Sequence, residues 1–462
     1  MEKKYCILWA LLGLAPAATA QLSTLNRPAE PVVMTGASLS VFASLRPADV
    51  VGFRYANSAW QQIPVQVDER ALLDVVKPYG ALAAAAGYPP SPNNPRILFY
   101  TDAGTFTGAD PVTTIDADDE LVFMTKDAGG RAPAGSLPAG VVPGSCREVS
   151  LTDPLGGLGY VYLFQNAGAL AQNAGQRYVN YASNLATTPG YPAHLMGANV
   201  ENTTISTARY SWHFAAEWVS DELKLAIGSN TDILDRHKNF FANGNCIRHE
   251  DAFSAAENAF VTVKAGPLRV IRSYMGAVSG PLTQRTHLFY EGRHDIITDL
   301  RVHNIVSIFD AFDYSPAANG MVYRNNFNTN GVVIDGRPDV VALGDLRWEQ
   351  VSGAPGTLSV LHSRATTLTA TDATFSSYYD DNSANPASNC TGDGQAWGTS
   401  GVSVQFLNGS VCTDPLGGGC GTASTHFRTL QTTRSLYFDA PTLQPARRPA
   451  TSSNGTAPCS WR

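Results

Sequence analysis

The feature that most constrains this chain is a short run of β-branched and aromatic residues, closed by Gly, Pro or Asn, that recurs about every ten residues. "VGFRYA", "RILFYTD", "DELVFMTKD", "GYVYLFQ", "NAFVTVKA", "LRVIRSYMG", "GTLSVLHS" and "TRSLYFDA" are examples, punctuated by 41 Gly and 28 Pro. Runs of this length and spacing specify antiparallel strands and leave no room for long helices, so the expected fold is all-β. No segment repeats at a fixed period, which argues against propellers and solenoids. One stretch, "ERALLDVVKPYGALAAAAGYPPSPNNP", reads as a short helix running into a proline-rich loop.

At 462 residues the chain exceeds what one ordinary core serves. The opening "MEKKYCILWALLGLAPAATAQ" has a basic start, a short apolar stretch and a small-residue end. That is a signal-peptide pattern for residues 1–20, with a secreted, periplasmic or extracellular mature protein expected. Residues 21–145 read as an N-terminal β-sandwich. The Gly/Pro-dense stretch 129–146 reads as a linker. Residues 146–440 read as a larger antiparallel β-sandwich, and 441–462 as a tail tied by a disulfide. Beyond Cys6, six cysteines remain: Cys146, Cys246, Cys390, Cys412, Cys420 and Cys459. An even number in an oxidising compartment implies disulfides, with the pairing open; no CxxC spacing favours a metal instead.

Charged residues are only 15% and the net charge is −7, which disfavours a general nucleic-acid binder. No later stretch is long and apolar enough for a membrane span. GxSxG, HExxH, P-loop and dinucleotide-type GxGxxG motifs are absent, which removes several large enzyme classes.

"GPLRVIRSYMG" followed by "TQRTHLFYEGRHDIITDLRVHN" resembles the Gly-Pro-x-Arg strand and Tyr-x-x-x-x-Asp hairpin of galactose-mutarotase-like β-supersandwiches. That fold is shared by epimerases, several polysaccharide lyases and noncatalytic carbohydrate-processing modules. The resemblance covers residues 266–304. It implies a supersandwich-like second unit and transfers no catalytic residue.

The same hairpin carries the first candidate site. Aligning one oily face with the other pairs Tyr290 with Ile296 around a five-residue loop, Glu291 to Asp295. His287 then sits opposite Asp299, Arg285 opposite Arg301, and Thr283 opposite His303. Two arginines across a ladder repel unless an anion joins them. One answer is a solvated face on which Asp299 serves both. The other is a pocket for an anionic sugar, with His287 or His303 as general base oriented by Asp299, and Arg285 and Arg301 stabilising developing charge.

A second candidate set, for substrate binding, comprises Tyr210, Trp212, His213, Glu217 and Trp218 in "YSWHFAAEWVS", with Arg236 and His237 in the charged loop "NTDILDRHKN". Flat rings can stack on sugars or simply fill a core. Asp116, Asp118 and Glu120, in "TTIDADDELVF", are candidate Ca²⁺ ligands or a plain acidic turn. The function expected is an exported carbohydrate-active protein, a lyase or hydrolase of acidic polysaccharide. The alternative is a noncatalytic surface or matrix protein that binds a polysaccharide or cell-surface glycan, or self-assembles.

Overall fold

The computed structural model describes residues 23–84, 89–105, 107–154, 156–182, 202–215, 218–241, 249–250, 259–276, 283–301, 307–384, 392–407, 429–441 and 460–461. Strands dominate them, joined into antiparallel sheets, as the run spacing requires.

The largest sheet has nine strands in the spatial order Ala259–Ala265, Val270–Met275, Thr283–Phe289, Arg293–Arg301, Thr429–Asp439, Gly356–Thr366, Trp348–Gly353, Val322–Asn325 and Val332–Val333. Two four-stranded sheets cover one of its faces. One holds Leu234–Phe241, Ser307–Tyr314, Thr399–Phe406 and Ala373–Asp380. The other holds Val179–Tyr181, Thr203–Thr207, Ser211–Phe214 and Ser220–Lys224. Between the layers lies a core that includes Trp212, Phe214, Phe289, Ile296, Phe312 and Leu436.

The N-terminal part is a second sandwich. Glu120–Met124 lies between Pro31–Thr35 and Gln66–Asp68 in a three-stranded sheet. It packs on five strands ordered Ser460–Trp461, Arg147–Thr152, Leu158–Gln165, Val50–Ala56 and Ala59–Ile63. Of the strands that follow the Gly/Pro-rich stretch 129–146, Leu158–Gln165 pairs with Val50–Ala56, and Arg147–Thr152 pairs with Leu158–Gln165. That stretch begins seated on the sheet, with Gly129 bridged to Tyr160 and Gly130 to Tyr55. A Cβ at Gly129 would come 2.4 Å from the Tyr55 carbonyl oxygen, so only glycine fits this approach.

The three-stranded sheet lies against the uncovered face of the large sheet, burying Val122 and Met124 with Leu268, Ile271, Leu288 and Tyr290. The large sheet is therefore covered on both sides over part of its area, and this overturns the sequence reading of the hairpin. Thr283–Phe289 is buried at every position. Matching oily face to oily face fixes register only when one face is dry and the other wet. Here neither face is open to bulk water: one meets the inner core, and the other carries Leu288 under the three-stranded sheet and Gln284 and Thr286 in a half-enclosed groove. The turn shortens to Glu291-Gly292, the Tyr290 N–H donates to the Arg293 carbonyl at 2.8 Å, and Arg285 pairs with Thr298 and His287 with Ile296. Arg301 pairs instead with Thr429.

Two further expectations change. "ERALLD" forms a strand, Arg70–Asp74, because Arg96–Tyr100 offers it a hairpin partner, so the short helix expected in this stretch is confined to the 3₁₀ turn Lys77–Leu82. The charged stretch around Arg236 and His237 is not a loop but the strand Leu234–Phe241, paired along Ser307–Tyr314.

Candidate binding groove and the buried polar network

Alternation along the hairpin sends its side chains to two different sites. Arg285, His287, His294 and Thr298 point between the layers. Gln284, Thr286, Asp295 and Asp299 line a groove on the opposite face.

The interior site is a closed network. Arg285 Nη2 donates to Asp310 Oδ2 at 3.0 Å and to Asn239 Oδ1 at 2.5 Å, and its Nε donates to Thr298 Oγ1 at 3.1 Å. Arg434 Nη1 reaches Asp310 Oδ1 at 2.9 Å, and its Nη2 reaches Glu349 Oε1 at 3.5 Å, where His362 Nε2 also sits at 3.0 Å. His237 Nε2 lies 2.6 Å from Asp310 Oδ1. Burial alone would raise the Asp310 carboxyl, yet Arg285, His237 and Arg434 together hold it well below the usual carboxylate range. Burial drives His237 down to about 4, reinforced by the arginines and opposed by Asp310. His287 bridges the Tyr274 hydroxyl and His294 Nε2, each at 3.0 Å. Burial, with His294 and Arg272 beside it, drives the His287 imidazole well below its ordinary value. Such a neutral, sealed imidazole has no route to substrate.

The five residues expected to form one catalytic face are therefore divided. Arg285 and His287 are interior and less than 3% exposed. Asp299 lies in the groove, Arg301 ends its strand paired with Thr429 rather than with Arg285, and His303 lies outside the described residues. The aromatic set belongs to the core. Tyr210 stacks on Phe438 with ring centroids 3.8 Å apart and donates to the Tyr290 carbonyl at 2.9 Å. Trp212 donates from Nε1 to Ser220 Oγ at 3.0 Å, and Trp218 packs on Phe260. His213 remains partly exposed between Asp221 and Asn202, each 2.6 Å from a ring nitrogen. Arg236 pairs with Glu250 at 3.7 Å, and Glu217 lies outside the described residues.

Asp116 and Asp118 do cluster, but with Asp119 rather than Glu120, with one oxygen of each within 4.8 Å of the others. Burial and the adjacent Asp116 push the Asp118 carboxyl up to about 6, as expected of crowded acids that a hard cation such as Ca²⁺ could bridge. Backbone amides already use part of this capacity: Asp119 accepts from Arg70 N at 3.0 Å and from Asp116 N at 3.1 Å. Glu120 turns the other way. Its carboxylate meets Arg269 Nη2 at 2.6 Å, Arg70 Nη1 at 2.8 Å and the donating Tyr100 hydroxyl at 2.8 Å. Arg269 also donates to Asp68 at 2.7 Å and to the Tyr290 hydroxyl at 3.2 Å. Arg269 and Tyr290, separated by twenty-odd residues in the sequence, thus meet at the seam between the two sandwiches.

Beside that seam opens the groove, with a volume of about 910 Å³. That is within the range of ligand sites. Residues from six neighbouring strands of the large sheet line it, which makes it about 24 Å across at ordinary strand spacing. Its floor has a polar row: Gln284, Asp299 and Gln431 are successive partners across three strands, with Ala365 beyond them on the next. Gln431 Nε2 donates to Asp299 Oδ1 at 2.8 Å, Gln284 Nε2 to Ser273 Oγ at 3.0 Å, and the Ser273 and Thr286 hydroxyls are 2.8 Å apart. Glu120 is bound to arginines, and Asp295 is bound to Arg293 at 2.8 Å. Among the described residues, Asp299 is the groove carboxylate without a cation. The hairpin Arg70–Asp74/Arg96–Tyr100 forms one wall.

Sequence reasoning missed this wall, Gln431 and the partners Asp310, Glu349 and Arg434, all far away in the chain. The alternation in "RILFY" does place Arg96, Leu98 and Tyr100 on one face, a signal that was available.

No protein-family model matches the chain, and no curated protein matches it. Among solved structures, the chain is similar to one from Escherichia coli K12 described as a "Putative aldose 1-epimerase". The identity is 9% and the TM-score 0.28, over 56% of this chain and 99% of that one. A likeness this loose transfers neither fold nor chemistry to this chain.

Proposed function

We propose that the protein is an exported carbohydrate-binding protein whose groove on the large sheet holds an extended, hydroxyl-rich chain. The observation that carries this reading is the Gln284–Asp299–Gln431 row, flanked by Ser273 and Thr286. Amide and hydroxyl groups match sugar hydroxyls as paired donors and acceptors, and a carboxylate accepts from two hydroxyls at once. A sheet face intended only for packing would be apolar there, and one intended only for water would not be half enclosed.

The catalytic variant of this reading, a lyase or hydrolase of acidic polysaccharide, needs a second reacting group near Asp299. Asp295 is four residues along the same strand, about 13 Å away. Glycosidase pairs stand roughly 5–9.5 Å apart. Asp295 is also held by Arg293. Binding is therefore the better-supported function, with Asp299 as its central acceptor.

The test is a glycan array probed with the purified full chain and with Asp299→Asn. Selective binding by wild type, weakened about tenfold or more in the variant, supports the reading. No binding to any neutral or acidic glycan overturns it.

A further inference from the structure

The groove wall is chemically unlike its floor. In the Arg70–Asp74/Arg96–Tyr100 hairpin, the ladder pairs Arg70 with Tyr100, Leu72 with Leu98 and Asp74 with Arg96. The other face of this hairpin, including Leu73, Ile97 and Phe99, packs on Val261 and Met275 and anchors it. The groove face leaves Leu72 51% and Leu98 42% exposed, directly opposite one another. Two neighbouring leucines left wet on a rigid, anchored hairpin cost free energy that burial under a ligand would return.

Arg96 lies beside them. Its Nε donates to the Leu72 carbonyl at 3.1 Å, and its Nη2 donates there too, but no carboxylate pairs with it among the described residues. Its cross-strand neighbour Asp74 is occupied by the Val76 amide at 3.0 Å and by Asn94 Nδ2 at 3.1 Å. The wall therefore presents an apolar step with an available guanidinium at its end, next to a floor built for hydroxyls.

We propose that the ligand is an acidic glycan carrying an apolar substituent, an acyl or aryl group that lies on Leu72 and Leu98 while its carboxylate meets Arg96. This rests on the carbohydrate reading above and narrows it to one ligand class. Guanidinium–carboxylate pairing is planar and bidentate, so it fixes the orientation of the chain along the groove.

Three probes, titrated calorimetrically into the full chain below their micelle concentrations, separate the parts: octyl glucuronide, octyl glucoside and glucuronic acid. Octyl glucuronide should bind at least tenfold more tightly than either of the others. The Leu72→Ser/Leu98→Ser double variant should lose the advantage of the octyl chain, and Arg96→Gln the advantage of the acid. Both changes are on exposed side chains, and an unchanged melting temperature shows that the variants fold. Equal affinity for the three probes, or affinities that neither variant alters, overturns the proposal. If plain oligosaccharides bind and respond to Asp299→Asn while the octyl chain adds nothing, this inference fails and the carbohydrate reading stands. If no sugar binds at all, both fail.

Discussion

Arg269 and Glu120 meet at 2.6 Å, both buried, where the N-terminal three-stranded sheet lies on the open face of the large sheet. With Asp68, Arg70, Tyr100 and Tyr290 around them, they join two sandwiches that would otherwise share only a modest apolar contact. Burial raises the Asp68 and Glu120 carboxyls, but Arg269 and its neighbours pull both below their ordinary values. Arg269→Met should therefore leave two buried carboxylates poorly compensated and cost about 3–5 kcal/mol. Urea denaturation measures this. A loss below about 1 kcal/mol would mean that the seam is held by apolar contact alone.

Arg285→Met should behave as a core lesion. It strips Asp310 of one of its two arginines and should lower stability by about 3 kcal/mol or more. Glycan affinity of the folded fraction should be unchanged, because Arg285 points away from the groove. Affinity lost at unchanged stability would restore the site that the sequence suggested.

Acid should weaken the fold in two stages. His237 titrates near 4 in the folded protein, against about 6.5 when unfolded, and His287 and His294 are driven down in the same direction by burial. A group whose folded value is depressed binds protons more readily when unfolded. Its contribution is complete above about 6.5 and is lost as pH falls toward 4. Asp68, Glu120 and Asp310, also depressed, add a second loss below about 4. Denaturation midpoints should hold from pH 7.5 to about 6.5 and fall from there to pH 4, and His237→Asn should flatten that slope. A midpoint constant down to pH 4.5 would contradict the buried neutral imidazoles.

The all-β class was legible because period-two alternation and turn residues are local. The hairpin existed where "TQRTHLFYEGRHDIITDL" placed it, yet its register did not follow. Register depended on Val122 and Met124, more than 150 residues earlier, covering the face that carries Leu288 and Tyr290. Once both faces were largely buried, hydrophobic matching no longer chose between alignments. The charged stretch 235–238 misled for a related reason. In a chain with few charges, Arg236, His237 and Lys238 looked solvated, but Asp310, Asp313 and Glu250 wait for them in the interior. The groove residues Asp299 and Gln431 become neighbours only through strand pairing across 132 positions, which no local pattern encodes.

Hydrogen–deuterium exchange with and without a glycan selected on the array tests the groove most directly. The account predicts new protection in Gln284–Leu288, Asp295–Asp299 and Thr429–Gln431, lost in Asp299→Asn, with Leu234–Phe241 unchanged. Protection confined to Leu234–Phe241 and Ser211–Phe214, or protection that Asp299→Asn leaves intact, would contradict it.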